Sequence, residues 1–242
     1  MDLRLTKERM RMFWEYGKGR VFIAIVVAVA LFYTLYQLTR PVVPAAQRFD
    51  ILQGGIYVEE GIQAWSQELL DGVTVNQTQI NIEGLTLDEY GASDAQMVMA
   101  SRMTGQDGDL FIIPYTVYQA LAKSDNLVNL EDPIPGDPEG RSVLDRLELP
   151  EVIEPERCRI TVTTTDAGGN EVSTREICGI DASNIYGLLE IGVVPTDYVI
   201  CIPDYRELDY ENIVRVIQWM VDEKLDYEKP LDETTTAAEQ GQ

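Results

Sequence analysis

The chain lacks the side chain that most often activates a nucleophile in enzymes. It contains no histidine, so a serine or cysteine nucleophile would need a lysine or a carboxylate as its base. No serine stands three residues before a lysine. A pair of carboxylates with separated pKa values is the remaining hydrolytic arrangement. We therefore expect no enzyme activity and no catalytic residue, and a carboxylate-dependent hydrolase of the cell envelope stays open as the alternative.

A run of acids within the segment EDPIPGDPE offers the oxygen ligands that hard cations prefer. Its members are Glu131, Asp132, Asp137 and Glu139. Their spacing does not match the calcium-loop pattern. The sequence therefore predicts neither a metal site nor a cofactor.

The three cysteines are Cys158, Cys178 and Cys201. Two Thr- and Val-rich runs flank a Gly-Gly turn between Cys158 and Cys178, which predicts a β-hairpin over 158–178. Such a hairpin brings its two ends opposite each other. The natural disulfide is therefore Cys158 with Cys178, and three reduced cysteines are the alternative.

An uncharged, apolar run of eighteen residues covers 21–38. Its length is close to the ~20 residues that cross a bilayer, so we expect a membrane anchor over 21–39. A cleaved secretory signal is the alternative, although its apolar core is usually only ~7–15 residues long. The proline-containing stretch 40–48 suits a short extended spacer after the anchor.

Charge is distributed unevenly about this run. Residues 1–20 hold six Lys/Arg against three Asp/Glu, whereas residues 41–242 hold twelve against thirty-eight. The positive-inside rule then places the basic segment 1–20 in the cytoplasm and the acidic remainder outside, as a single-pass protein of the cell membrane. An acidic exterior domain repels phosphate backbones, so we expect no nucleic-acid partner.

Strand-like and helix-like patterns alternate from residue 49 to about 123. Apolar strands are expected over 49–52, 77–85 and 109–113, and amphipathic helices follow over 58–70, 93–103 and from Pro114. This order predicts a parallel sheet covered by helices. Ligands of such sheets collect at the carboxyl ends of the strands, here the loops that begin at Gln53, Glu83 and Pro114.

The rest of the chain mixes regular and irregular segments. Residues 129–156 carry five prolines and are expected to form an irregular connection outside the core. After the hairpin, an apolar strand over 196–203 and an amphipathic helix from Tyr210 complete the domain, which spans 49–226. The tail 227–242 has little to bury and is expected to be disordered.

The segments GDLFII and YQALAKSDNLVNLED, together with YVICIPDYRELDYENIVRVIQWMV, resemble the first lobe of extracellular solute-binding proteins of bacterial ABC importers. The likeness covers roughly 49–132 and 196–225. It implies an α/β fold with a parallel-core sheet flanked by helices, one lobe of a type 2 periplasmic-binding-protein-like fold. To this the sequence adds the hairpin and one preceding transmembrane helix.

The resemblance also implies a function. Members of that family close two lobes around a solute, whereas the sixty or so residues between the two similar stretches leave no room for a second lobe. The chain is thus expected to be a membrane-anchored binding or interaction module, accessory to an ABC transporter or an envelope complex. A small solute or an envelope protein would be its partner. The expected contact residues are Gln53, Gly54, Glu83, Pro114 and Tyr115.

Overall fold

The computed structural model describes residues 18–39, 43–85, 92–105, 108–165, 169–204 and 208–225. Most of the expected cytoplasmic segment and the whole of the expected tail 227–242 lie outside these residues. The chain divides into two compact units, with the boundary between Val43 and Pro44.

The first unit contains one described helix, α1 (Lys18–Thr39). Its large apolar side chains from Phe22 to Tyr36 are exposed. Among the described residues, no helix meets the length and apolarity that a membrane crossing requires. The anchor expected over 21–39 therefore stays a prediction.

The second unit, from Pro44 onward, alternates strands and helices through its first half, as expected. Its described strands are β1 (Arg48–Gln53), β2 (Gln79–Gly84), β3 (Leu110–Pro114), β4 (Arg159–Thr165), β5 (Glu171–Ile177), β6 (Gly179–Asp181) and β7 (Tyr198–Cys201). Its described α-helices are α2 (Glu59–Glu68), α3 (Ala92–Thr104), α4 (Tyr115–Lys123), α5 (Val143–Arg146) and α6 (Tyr210–Lys224). Short 3-10 helices cover Ala45–Gln47, Pro155–Cys158 and Tyr186–Ile191.

Five of these strands form one mixed sheet in the order β2-β1-β3-β7-β6. Strand β1 runs parallel to both β2 and β3, which is the expected parallel core. Strand β7 is antiparallel to β3, and β6 is antiparallel to β7. The sheet as a whole is therefore mixed, because the chain returns through the sheet in the opposite direction after β6.

Helices and loops cover both faces of this sheet, since its strands are rich in buried apolar residues. One face carries Phe49, Ile51 and Ile112, which pack with residues of α2 and α6. The other face carries Leu52, Phe111 and Ile113, which pack with α3, α4 and the base of the hairpin. The result is a sheet between two apolar layers, whose strand ends form the rims of the domain.

The proline-rich connection 129–156 is irregular, as expected, apart from the single turn α5. Our expectation that it lies outside the core is wrong. Leu130, Ile134, Val143, Leu147 and Ile153 are all buried in the main apolar cluster. Its apolar side chains stand between prolines and acids without periodicity, so no pattern in the sequence indicated their burial.

The hairpin forms as expected, with β4 and β5 paired antiparallel from Arg159 and Ile177 outward. Its base lies close to the main sheet, where Tyr118 of α4 donates a hydrogen bond from its hydroxyl to the carbonyl oxygen of Cys158. The base of the hairpin is therefore buried and is held to α4 by this hydrogen bond.

Candidate functional site

The carboxyl ends of the parallel strands meet at one rim of the sheet. Strands β1, β2 and β3 end there at Gln53, Gly84 and Pro114. Because β7 is antiparallel and β6 reverses direction again, the start of β7 at Tyr198 and the end of β6 at Asp181 lie on the same rim. We call this rim the carboxyl rim.

Two of the expected contact residues are buried beneath this rim. The side chain of Gln53 is fully buried; its Nε2 donates to the Ile191 carbonyl at 3.2 Å and its Oε1 accepts from the Gly55 N–H at 2.6 Å. The carbonyl oxygen of Gly54 accepts a hydrogen bond from the Tyr198 hydroxyl at 2.6 Å. Both residues hold the loops of the rim in place.

A third expected contact residue, Glu83, is exposed and forms an ion pair with Arg102 of α3. It borders a polar groove of about 220 Å³ on the sheet face, together with Arg48, Asp50 and Asn81. Both carboxylate oxygens of Asp50 are engaged there, one by Arg48 Nε at 2.6 Å and one by Asn81 Nδ2 at 2.7 Å.

Of the remaining expected residues, Tyr115 lines a cleft of the carboxyl rim, whereas Pro114 ends β3 beside it and is not one of the lining residues. This cleft has a volume of about 280 Å³, at the small end of the usual range of ~300–1,000 Å³ for ligand pockets. Its lining residues are Tyr115, Arg157, Cys158, Asp181, Ser183, Asp197 and Tyr198. We call it the Tyr115 cleft.

A buried carboxylate stands in the Tyr115 cleft. Asp181 is only 7% exposed. Its Oδ1 accepts from the Ser183 N–H at 3.0 Å and from the Ser183 hydroxyl at 2.5 Å, and its Oδ2 pairs with Arg157. The Arg157 side chain is 55% exposed, whereas the carboxylate that it pairs with is buried.

A second carboxylate comes from a turn that directly precedes β7. Asp197 has a left-handed backbone with φ of 60°, a conformation that aspartate tolerates better than most residues. That turn lets its carbonyl oxygen accept the Tyr115 N–H at 2.6 Å. The Asp197 side chain is exposed, and strain of this kind is found preferentially at binding sites.

The aromatic wall of the cleft is fixed from behind. The ring of Tyr115 packs on that of Tyr118 with centroids 5.7 Å apart, and its hydroxyl donates to the Arg157 carbonyl at 3.3 Å. Tyr118 is fully buried. The Tyr115 ring therefore offers a positioned π face next to two carboxylates.

Two loops form an apolar part of the carboxyl rim above β1 and β2. The first follows β1 and exposes Ile56 by 71% and Tyr57 by 58%; the second follows the 3-10 helix Tyr186–Ile191 and exposes Val194 by 61%. The Ile56 N–H donates to the Gly192 carbonyl at 3.0 Å. We call the exposed side chains of Ile56, Tyr57, Leu189 and Val194 the rim surface.

Glycines permit the close approach of these two loops, and also that of α2 to the 3-10 helix Tyr186–Ile191. A Cβ at Gly61 would overlap the Glu190 carbonyl, and one at Gly192, whose φ is 86°, would overlap the Ile56 carbonyl. A side chain at Gly61 would push α2 away from the 3-10 helix, and one at Gly192 would push the two loops apart. The loops are thus held in one arrangement.

A buried tryptophan ties the second loop to two helices. Trp65 of α2 is fully buried and its Nε1 donates to Glu190 Oε2 at 2.6 Å; Lys224 of α6 donates to the same oxygen at 3.1 Å. Trp65 and Trp219 pack edge to face at 4.9 Å. These aromatics are packing residues, and they fix Glu190 at the border of the rim surface.

A carboxyl pair lies near the start of β3, away from the carboxyl rim. Asp109 Oδ2 accepts the Asp50 N–H at 2.8 Å. Burial, together with the nearby negative charges of Asp50 and Asp209, raises the pKa of Asp109 to about 6. Protonated and ionised forms of this carboxyl therefore coexist near neutral pH.

The three cysteines lie in one apolar cluster as buried free thiols. Cys158 and Cys178 directly precede and follow the paired residues Arg159 and Ile177, so they face each other across the hairpin base. Burial raises the pKa of both to about 12. The disulfide between them stays a prediction.

Sequence patterns missed most of the polar residues of the Tyr115 cleft. Arg157, Asp181, Ser183 and Asp197 are brought together by β6 and by the antiparallel direction of β7. Strand β6 has only three residues and directly follows the hairpin, so it carries no periodicity of its own. The one feature of the sequence that could have indicated these residues is an Asp at the start or end of a short apolar strand.

Comparisons with known proteins do not indicate a function for this chain. No protein-family model matches the chain, and neither the curated proteins nor the solved structures provide a match. The resemblance to solute-binding proteins therefore stays a prediction, and the site has to be interpreted from its own residues.

Proposed function

We propose that this chain is a membrane-anchored, extracytoplasmic binding module that holds a small organic cation in the Tyr115 cleft. The observation that carries the proposal is the composition of that cleft. One fixed, buried carboxylate, one exposed carboxylate and one aromatic face converge on a cavity of about 280 Å³. An ABC transporter or another envelope complex would be the acceptor of the bound solute.

Charge favours a cationic ligand. The described lining of the cleft holds two carboxylates, Asp181 and Asp197, against the single guanidinium of Arg157. An ammonium group of a ligand can pair with Asp197 and lie over the Tyr115 ring, a contact worth ~0.5–2 kcal/mol. The acidic domain around the cleft raises the local concentration of cations.

The anchor is part of the proposal and rests on the sequence. The uncharged run 21–38 has basic residues on its N-terminal side, and the chain beyond it is strongly acidic. Its large apolar side chains from Phe22 to Tyr36 are exposed in α1. A tether of this kind would keep the cleft at the outer face of the membrane.

The proposal is tested by thermal unfolding of the full chain in a neutral detergent. Butylammonium, choline and agmatine are compared with succinate and glucose. At ten times its Kd, a ligand of the native state raises Tm by roughly 3–6 °C for a domain of this size. We expect such a rise with at least one of the cations and none with succinate or glucose.

A matched pair of variants localises the effect. Asp197→Asn removes one charge from the cleft, and Asn also tolerates the left-handed backbone. Asp222→Asn removes the same charge from an exposed position of α6. The shift should shrink in Asp197→Asn and persist in Asp222→Asn. Equal shifts in both variants, or no shift with any cation, would contradict the proposal.

A carboxylate-dependent hydrolase is the second candidate, and the Asp50–Asp109 pair favours it. The pKa of Asp109 is raised to about 6, as expected of a general acid. The two oxygens of Asp50 are already engaged by Arg48 and Asn81, which weakens its use as a nucleophile or base. Turnover of a glycoside or ester that disappears in Asp109→Asn would favour this candidate over the binding module.

A further inference from the structure

We infer that the rim surface is a docking site for a protein whose contact patch has an apolar centre and a Lys/Arg border. This inference rests on residues separate from those of the Tyr115 cleft, and it holds whether or not the cleft binds a solute.

The rim surface exposes several large apolar side chains. Ile56, Tyr57 and Val194 are each more than half exposed, and Leu189 is 41% exposed. Scattered apolar residues are normal on a protein surface, whereas a group of them on adjoining loops marks an interaction site. Aromatic residues such as Tyr57 are enriched in the energetically dominant centres of such sites.

The loops that carry the rim surface are held in place by hydrogen bonds. The loops that carry these side chains are joined by the hydrogen bond from the Ile56 N–H to the Gly192 carbonyl and by the amide of Gln53 beneath them. Their close approach depends on Gly192, whose Cβ position lies against the Ile56 carbonyl. Exposed apolar side chains on a fixed frame lose little conformational entropy on binding, which favours association.

Charge identifies the kind of partner. Glu59 and Glu60 directly follow the first loop and are exposed. The chain beyond residue 40 carries thirty-eight acids against twelve basic residues. A second copy of this chain or an anionic lipid surface would meet like charge here, whereas a basic protein surface is complementary.

Defined peptides replace the unknown partner in the test. The full chain is placed in phosphatidylcholine nanodiscs and titrated with a labelled amphipathic peptide of leucines and lysines, and with the same peptide carrying glutamates instead of lysines. Empty nanodiscs report binding to lipid. We expect micromolar binding of the lysine peptide to the protein, at least tenfold tighter than that of the glutamate peptide.

Variants place the contact on the rim surface. The double variant Tyr57→Ser, Val194→Ser should weaken binding of the lysine peptide at least tenfold. Val172→Ser, an exposed apolar position of β5, is the matched control and should leave it unchanged. The double variant Glu59→Gln, Glu60→Gln should weaken binding and reduce its dependence on salt.

Other outcomes overturn the inference. Equal binding by the Tyr57→Ser, Val194→Ser variant and the Val172→Ser control would place the contact elsewhere. Self-association that Tyr57→Ser abolishes would make a second copy the occupant. Stronger attachment to vesicles containing phosphatidylglycerol, lost in the same variant, would make the lipid surface the occupant. Circular dichroism of each variant separates these outcomes from loss of folding.

Discussion

At the scale of single residues, the ionisation of Asp109 makes the stability of the fold depend on pH. Its pKa is raised from 3.8 to about 6, chiefly because it is buried and also because Asp50 and Asp209 lie near it. The native state therefore binds a proton more tightly than the unfolded state does. Ionisation of Asp109 destabilises the fold, and this loss develops as the pH rises from about 4 to about 6 and stays constant above that.

Asp109→Asn removes the ionisation and keeps an oxygen that can accept the Asp50 N–H. The difference in free energy of unfolding between variant and wild type should grow by about 2–3 kcal/mol in the variant's favour from pH 4 to pH 7. Urea unfolding of the full chain at both pH values measures it. Glu151→Gln, on an exposed turn, is the control. A difference that does not change with pH would show that Asp109 titrates normally.

Residues of the candidate site differ in how far the sequence reveals them. Pro114 and Tyr115 follow a continuous apolar strand, and that position predicts the rim of a sheet. Gln53 occupies the equivalent position at the end of β1, yet its side-chain amide already forms hydrogen bonds with Ile191 and Gly55. Hydrogen-bond partners 138 residues apart are set by tertiary structure, so local patterns cannot tell these two outcomes apart.

At the scale of elements, the hydrophobic period and the alternation of strands and helices along the chain were predictable where segments are long and regular. The amphipathic pattern of α6 and the apolar run of β3 each dictate one structure. The direction of β7 is different, because an apolar strand fully buried in a sheet looks the same in either direction. Only its pairing with β3 and β6 settles the direction, and that pairing depends on the path of the hairpin and connection before it.

The contact between α2 and the 3-10 helix Tyr186–Ile191 depends on one glycine. A Cβ at Gly61 would overlap the Glu190 carbonyl, whereas one at Gly72 would meet nothing within 4 Å. Gly61→Ala should therefore lower the free energy of unfolding by about 1–3 kcal/mol, despite the better helix propensity of Ala. Gly72→Ala should be neutral or slightly stabilising. Denaturant unfolding compares them, and similar values for both variants would refute the close contact.

At the scale of the whole molecule, charge and hydropathy predict different surroundings for different parts of the chain. The net charge of -22 combines a strongly acidic stretch beyond residue 40, with thirty-eight Asp/Glu against twelve Lys/Arg, with a basic N-terminal segment of twenty residues. This asymmetry was readable from the sequence, because it depends on composition and not on folding. It underlies the expected membrane anchor, the orientation and the preference for cationic ligands.

Orientation is tested with tags at the two ends of the chain in bacterial spheroplasts. Proteinase K added from outside should remove a C-terminal tag and spare an N-terminal tag, because the acidic domain would face outward. Lysis before digestion is the control and should expose both tags. Protection of the C-terminal tag in intact spheroplasts would contradict an extracytoplasmic domain.

Calorimetric titration of the full chain with the organic cation that gives the largest thermal shift tests the central claim most directly. We expect saturable one-to-one binding in the wild type. Asp197→Asn should weaken this binding about tenfold, which corresponds to the loss of roughly 1.4 kcal/mol expected when a charged contact is removed. Asp222→Asn should leave the binding unchanged. Binding of equal strength in all three proteins, or no binding heat in the wild type, would contradict the Tyr115 cleft as the ligand site.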